Sequence, residues 1–554
     1  MDPVIVVGAG PVGLTLALAL AAHGVPSVLL DEGLGKDEPR PARTVVLRED
    51  TTDLVMRLGC ATPDRAALSW SGWRSLRRNQ LVREVPLGEG GPGSGSVPAP
   101  VHLPQHALTR GLRAAVAAHE LIRLVPLSRV DTLEQDASGV TVHTKDPDAT
   151  WWRGSYLVGC DGARSTVRKL LDVRFPGRTA VERHAVAALR VELPWPGQAV
   201  LHRQPPWRSV GTEVTARPLP GGVWRLDWLL PAHGELVTPE ALIARTRETL
   251  AGWCGETPPY ELLDTGVHTV HHRLALRWRV KRAFLAGDAA HLLGALGTQG
   301  VDEGLRDAEN LAWKLAQAWH HGASDLLLDS YQAERRAAVA ARLRAADQSL
   351  PILRGGGGLR TLVAGGARGH DTLFFDAHLG YGPLGAPPSY THSPLAPQHA
   401  QAHVPVGTPP GAPVTDVRAT APDGTSVRLR ARLGRGRFLV VLVAPGTGVW
   451  DRRHWMTAGV MPRLAEAVRA LPVESELLVT ESYPGAAAHA VLLIRPDGHL
   501  VASFAGVRPA ELFAAADAAR GGPPGTPGTA GASPGDEDSA PRASTRSERA
   551  ATLN

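Results

Sequence analysis

Thirty-one residues at the start of the chain leave little freedom in how it begins to fold. Val4–Val7 is a short β-branched run, followed by Gly8-Ala-Gly10-Pro-Val-Gly13, an Ala/Leu stretch from Leu14 to His23 closed by Gly24, and a second apolar run, Ser27–Leu30, ending on Asp31. Short apolar runs bounded by turn residues suit strands buried on both faces, and the Ala/Leu stretch between them suits a buried helix. Strand, glycine turn, helix and strand make a βαβ unit. In such a unit Gly8 permits the tight turn, Gly10 lets backbone approach a pyrophosphate, and Gly13 allows the helix to pack closely on the strand. Asp31 stands 18 residues after Gly13, near the spacing of an acid that accepts from a ribose hydroxyl. The pattern predicts a dinucleotide site in an α/β sheet and leaves NAD and FAD equally open. The same segment is apolar enough to resemble a leader or membrane helix. Its glycines, Pro11 and Pro26, and the lack of a basic start argue against both, so a cytoplasmic protein with no membrane attachment is expected.

Two distant segments carry related signals. Cys160-Asp161-Gly162-Ala163-Arg164-Ser165 follows a strand-like run; read alone, it fits either a nucleotide-site turn or a simple turn into a capped helix. Phe284-Leu-Ala286 reads as a buried strand ending in Gly287-Asp288, then a glycine-bearing loop and a helix opening near Asp302. An acid followed by a helix N-terminus suits a ribityl and phosphate chain, because the acid accepts from hydroxyls and the helix end offers free N–H groups.

Together these segments resemble the single-component FAD-dependent aromatic hydroxylases, the para-hydroxybenzoate and phenol hydroxylase superfamily, and within it the hydroxyphenylpropionate and polyketide hydroxylases. The likeness covers roughly Val4 to Arg336 and implies an α/β fold: a Rossmann-like FAD-binding domain, an inserted antiparallel-sheet substrate domain and a C-terminal thioredoxin-like domain. It implies FAD contacts at Gly8, Gly10, Pro11, Val12, Gly13, Asp31, Glu32, Arg43 (in RTVVLRED), Gln105 (in LPQHALTRGL), Asp161, Gly162, Gly287, Asp288, Gln299, Gly300 and Val301. Asp307, Asn310, Trp313 and Lys314 reproduce the family's DAxNLAWKL helix, Tyr331 to Arg336 its YxxERR, and Arg495-Pro-Asp497-Gly its terminal RPDG turn. The implied reaction is an NAD(P)H-consuming monooxygenation through a flavin C4a-hydroperoxide, placing one oxygen atom of O2 on a phenolic or polyketide-like aromatic. The sequence identifies no substrate base. Three positions depart from the family: Ala295 replaces a proline, Thr298 a glycine and Asp302 an asparagine. A carboxylate at 302 near the flavin's pyrimidine edge would oppose negative charge there, and it would equally serve as a helix N-cap. The alternative to turnover is a flavoprotein that binds or sequesters an aromatic ligand.

Bulk properties exclude other classes. With 554 residues the chain needs several cores, and a net charge of +5 without a basic, aromatic-rich run argues against nucleic acid. Three scattered cysteines form no CxxC, and His268, His271 and His272 lack metal-ligand spacing. Neither the WxWxIP of flavin halogenases nor the CxxxxC of disulfide reductases occurs. The expected organisation is FAD-binding domain at 1–174 with a flexible loop at 88–96, substrate domain at 175–279, the second FAD-binding part with long helices at 280–350, a linker at 351–413, the thioredoxin-like domain at 414–520, which packs or makes a homodimer contact, and a disordered tail at 521–554. Within these, strands are expected at Trp151–Val158, Ala185–Val191, Ser209–Ala216 and Val223–Leu229, and helices at Pro239–Gly252 and Ser330–Gln348.

Overall fold

The protein is described by a computed structural model that covers every residue except 36–37, 61–68, 89–96, 146–149, 208–212, 231–236, 295–298, 323, 354–371, 373–374, 398–402, 447–458 and 523–554. The expected loop at 88–96 and the tail lie almost wholly outside the described residues, as do Ala295 and Thr298.

The opening βαβ unit forms as its pattern dictates. Strand Val4–Val7 pairs in parallel with Ser27–Leu30 on one side and Tyr156–Gly159 on the other, and the helix between them spans Pro11–Ala22. Outward from these, Ile122–Val125 and Ala283–Leu285 extend the parallel sheet. Strand order therefore reverses at Val4–Val7: the next strand in sequence lies to one side, and a strand some 150 residues later lies to the other. A doubly wound sheet opens a crevice at such a point, outside the carboxyl ends of its strands. Gly8, Asp31, Cys160-Asp161 and Ala286-Gly287 follow four of these parallel strands. The three sequence motifs are thus brought to one edge by topology.

A nine-stranded sheet stands over this edge. Its centre is antiparallel, with Gly177–Arg190 between Val223–Leu230 and Glu261–Leu274. The sheet is not confined to 175–279, because Gly72–Arg77 pairs in parallel with Gln198–Arg203 and Gln80–Gly88 continues beyond it. One face is apolar by strict alternation: Ala185, Ala187, Leu189, Trp224, Leu226, Trp228 and Leu230 pack with Leu242 and Leu250 of the Pro239–Cys254 helix. Trp228 Nε1 donates to Thr249 Oγ1 at 3.0 Å, which satisfies its buried N–H. The strand Glu261–Leu274 had no counterpart in the expectations.

Three further corrections concern boundaries. Trp151–Val158 is two strands in different sheets, Trp151–Gly154 in a three-stranded antiparallel sheet and Tyr156–Gly159 at the centre of the parallel one. The helix expected to open near Asp302 starts at Gln299 and runs to His321. Ser330–Gln348 is not one regular helix: Asp325–Tyr331 passes through a π-turn at Gln332–Arg336 into Ala337–Leu353.

The C-terminal part builds a six-stranded sheet around Phe438–Val443, which is buried on both faces and lies parallel to Ser475–Thr480 and antiparallel to Ala490–Ile494. Its core includes Trp313 and Leu327 from the preceding helices. The Pro/Gly-rich stretch before it is packed rather than a free spacer, because the buried Tyr390 ring stacks on His499 with centroids 4.3 Å apart. Among the described residues, no helix is long and apolar enough to cross a membrane.

Candidate functional site

The crevice at the strand ends is assembled by glycine. Gly8 has φ +102°, and a Cβ there would stand 2.6 Å from Cys160 O; at Gly13 it would stand 1.9 Å from Gly8 O. Both positions are glycine because the fold allows nothing larger. Gly10 differs. Its backbone is ordinary and extended (φ −76°, ψ 179°), and an added Cβ would meet nothing within 4 Å. Gly162 also opens on empty space. Among the described residues, no protein atom fills the space beside Gly10, which leaves room for a phosphate against its bare backbone.

Asp31 reaches this loop: its Oδ1 accepts from Ala9 N at 2.9 Å and its Oδ2 from Gly33 N at 3.2 Å. Those bonds hold the carboxylate at the mouth of the helix with lone pairs to spare. Pro11 begins that helix without an N–H, so Val12 and Gly13 carry its free donors. Val12 also wedges between Gly287 and Gly304, where a Cβ would approach it to 2.9 and 2.5 Å. Glu32 is exposed, 4.0 Å from Arg129, and Val301 packs on the main core.

On the other side of the crevice, Thr44–Leu47 pairs with Val101–Pro104 in the register Thr44 to Pro104, which places Arg43 beside Gln105. Arg43 Nε donates to Gln105 Oε1 at 2.9 Å, and Gln105 N donates to Arg43 O at 2.8 Å. Asp288 is exposed in a recess. The loss of solvation there raises its carboxyl above the ordinary value, opposed by His291 and Arg43. A Cβ at Gly300 would lie 3.6 Å from Asp288 Oδ1, so the start of the Gln299–His321 helix borders the same recess. An accessible carboxylate, an Arg–Gln pair and two helix N-termini suit a long polyhydroxylated diphosphate.

Asp161 does something more local. Its oxygens accept from Ser165 Oγ at 2.5 Å, Thr166 N at 2.7 Å and Val167 N at 3.0 Å, so it caps the Thr166–Leu170 helix. Asp302 meets neither expectation. It sits in the first turn rather than at the cap, and its carboxylate is buried among Thr51 Oγ1 (2.6 Å), Arg48 Nη1 (3.1 Å) and Arg306 Nη2 (3.4 Å). Its charge is thereby neutralised inside the protein.

Motif residues to which sequence reading assigned no role support the site from behind. Asp307 accepts from Gly287 N (3.0 Å), His291 Nε2 (2.8 Å) and Arg335 Nε (2.7 Å), fixing the Gly287 turn to the helix. Arg335 also binds Glu303 at 2.7 Å, as do Arg306 and Arg342. Burial alone would raise the Glu303 carboxyl, but Arg342, Arg306 and Arg335 hold it well below the ordinary range. The π-turn lets the adjacent Glu334 and Arg335 both face inward. Glu334 accepts from Arg495 Nη1 at 2.6 Å, Lys314 at 2.7 Å and Asn310 at 2.8 Å, and Asp497 accepts from Arg495 and Trp313. The DAxNLAWKL, YxxERR and RPDG motifs thus form one buried ionic cluster joining the nucleotide domain to the C-terminal sheet. Arg113, which sequence reading did not single out, donates to Gly35 O and, at 3.5 Å, to Ala9 O in the glycine loop.

A family model described as FAD binding domain matches residues 1–346. The chain belongs to this FAD-binding family. FAD fits the crevice on the protein's own terms, given the bare Gly10 backbone and the accessible Asp288. Over 360 residues the flavoprotein is 32% identical to the 3-(3-hydroxy-phenyl)propionate/3-hydroxycinnamic acid hydroxylase of Paraburkholderia xenovorans (strain LB400), an alignment covering 60% of this chain and 53% of that protein. The chain spans about half the length of such hydroxylases. It is 33% identical over 373 residues to the rifampicin monooxygenase of Streptomyces venezuelae, covering 60% of this chain and 68% of that one. Among solved structures, the anhydrotetracycline hydroxylase OxyS of Streptomyces rimosus superimposes with a TM-score of 0.68 at 26% identity, over 94% of this chain and 99% of that one.

Proposed function

We propose that the protein is an FAD-dependent, NAD(P)H-consuming monooxygenase that inserts one oxygen atom from O2 into a phenolic or polyketide-like aromatic. The observation that carries this reading is the convergence of Gly10, Asp31, Asp288 and the Arg43–Gln105 pair at the strand ends, beneath the nine-stranded sheet. Bound FAD supplies the electron transfer and oxygen activation that side chains cannot. The chain's own work is binding and electrostatics. The N–H groups of Val12 and Gly13 meet the pyrophosphate, Asp31 and Asp288 accept from sugar and ribityl hydroxyls, and Arg43, oriented by Gln105, balances the carboxylate charge. The helix start at Gln299 and Gly300 offers N–H groups to negative charge on the flavin ring. Because Asp302 is neutralised by Arg48 and Arg306, it does not oppose that charge.

The C-terminal sheet reads as a thioredoxin-like domain without CxxC, and its role in this proposal is to brace the Gln299–His321 helix through Arg495 and Asp497. Purified protein carrying FAD tests the function. Aromatic-stimulated oxidation of NADH or NADPH with formation of a hydroxylated product is the expected result. Failure of both nicotinamides to reduce bound FAD across a panel of phenols and polyketide-like rings would overturn the proposal.

A further inference from the structure

Between the nucleotide-binding part and the C-terminal sheet, the packing leaves a cavity of about 60 Å³. One wall is the helix Glu49–Arg57 together with Arg306, Glu309 and Asn310 of the helix Gln299–His321. The other comes from Pro387, Pro388 and Tyr390 and from the C-terminal residues Arg430, Leu433 and His499. A single water needs about 10–15 Å³ of such space, so the cavity has room for roughly four to six non-hydrogen atoms. A second cavity of about 90 Å³ shares Arg57, Glu309 and Leu433 with it.

Each carboxylate on the lining already has an arginine. Asp50 accepts from Arg306 at 2.8 and 3.1 Å, Glu309 from Arg57 Nη2 at 2.6 Å, and Asp497 from Arg495 Nε at 3.0 Å. Two guanidiniums keep N–H groups to spare. Among the described residues, Arg57 Nε and Arg430 Nη1 are buried with no hydrogen-bond partner. Arg430 Nη1 makes ion-pair contacts at 3.3 Å to Glu49 and 3.7 Å to Asp53, without hydrogen-bond geometry. Buried N–H donors that lack an acceptor are unfavourable, and an anionic oxygen in the cavity would satisfy them. Pro387, Pro388, Pro413, Val414 and Leu433 make the rest of the lining apolar. A dianion fits poorly, because Asp50, Glu309 and Asp497 would repel its second charge.

The lining also touches the groups that hold the FAD recess. Tyr390 OH accepts from Arg335 Nη1 at 3.3 Å, Arg335 Nε donates to Asp307, and Asp307 accepts from Gly287 N. Arg306 reaches from the same wall to Asp302 and Glu303 in the first turns of its helix. An occupant bound by both Arg57 and Arg430 would tie the Glu49–Arg57 helix to the C-terminal part and hold these contacts in place.

We infer that this cavity binds a short aliphatic monocarboxylate, its oxygens on Arg57 and Arg430 and its chain against the prolines, and that its occupancy tightens FAD binding. The inference needs FAD in the crevice but none of the oxygen chemistry, so it stands or falls apart from the monooxygenase reading.

Propionate is the probe and propionamide its neutral isostere. Titrated calorimetrically into the full FAD-loaded chain, propionate is expected to bind about tenfold or more tightly than propionamide, as charge-assisted hydrogen bonds predict. Inorganic phosphate should not displace it. Arg430→Met, at a side chain 21% exposed, should abolish the preference while the protein retains FAD. FAD titration of the flavin-free protein should tighten about fivefold or more in saturating propionate. In crystals soaked with bromopropionate, the anomalous signal of bromine should lie between Pro388 and Leu433. Equal affinity of the unaltered protein for propionate and propionamide, a measurement that needs no variant, would overturn the inference. So would displacement by phosphate, unchanged propionate binding by Arg430→Met, bromine found only elsewhere, or an FAD affinity indifferent to propionate.

Discussion

Replacing Gly10 by alanine separates what the fold needs from what a ligand needs. The Gly10 backbone is extended at φ −76°, and the new methyl would have no neighbour within 4 Å. Alanine caps a helix less well than glycine but also lowers the entropy of the unfolded chain, so the two effects nearly cancel, within about 1 kcal/mol. In the proposed site the methyl stands where the pyrophosphate approaches. Displacing it forfeits a charge-assisted hydrogen bond of about 1.5–3 kcal/mol and much of the helix-terminus attraction of about 0.3–1 kcal/mol. Their sum corresponds to roughly 20- to 850-fold weaker FAD binding. Gly13→Ala is the contrasting case, because its methyl would lie 1.9 Å from Gly8 O and the βαβ unit could not close. The assay is FAD titration of flavin-free protein by fluorescence quenching, beside thermal melting of the same preparation. Gly10→Ala should melt with the parent and bind FAD poorly; Gly13→Ala should fail to fold. If Gly10→Ala bound FAD within threefold of the parent, or if its apo form lost more than about 4 °C, the open space would not be the pyrophosphate's.

Other perturbations probe other parts of the molecule. Asp288→Asn should weaken FAD binding about tenfold or more without destabilising the flavin-free protein, since the recess already disfavours the ionised carboxyl; calorimetric titration and melting give both numbers. Glu334→Gln leaves Arg495 and Lys314 buried beside a neutral amide. A loss of about 3–5 kcal/mol is expected in urea unfolding, and a loss under 1 kcal/mol would mean that the cluster is not coupled. His184 has a folded pKa above its ordinary value, so the stability it gains from Asp227 is present below about pH 6.5 and disappears as pH rises through the folded value. Melting curves of His184→Gln should therefore show less decline across that rise than the parent, and identical slopes would refute the pairing.

The glycine-patterned segments were legible because their signals are local. Gly8 and Gly13 are fixed by backbone closeness, Asp31 ends its strand at the predicted place, and parallel pairing follows from strands buried on both faces. What a carboxylate does with its oxygens is not local. Asp302 is met by Arg48 from 254 positions earlier. DAxNLAWKL, YxxERR and RPDG could each be read as motifs, yet nothing in their spacing says that Glu334 and Arg495, 161 positions apart, share a salt bridge. The strand Glu261–Leu274 escaped because its residues are half-exposed and polar, so no apolar alternation marked it. The direction of Arg225 and Asp227 became readable only once cross-strand register had put Trp224, Leu226 and Trp228 on the opposite face.

The π-turn at Gln332–Arg336 also sets a phase. An α-helix advances about 100° per residue, and a π-turn amounts to one residue added to that count. Rewinding the turn as regular α-helix with every residue kept would leave the chain helical, yet it would rotate everything from Ala337 onward by roughly a quarter turn. Arg342 would swing off Glu303, and the same helix that clamps the flavin-side turn would present a different stripe to it. In this chain the reading frame of a helix, as much as the identity of its residues, decides whether the crevice is held.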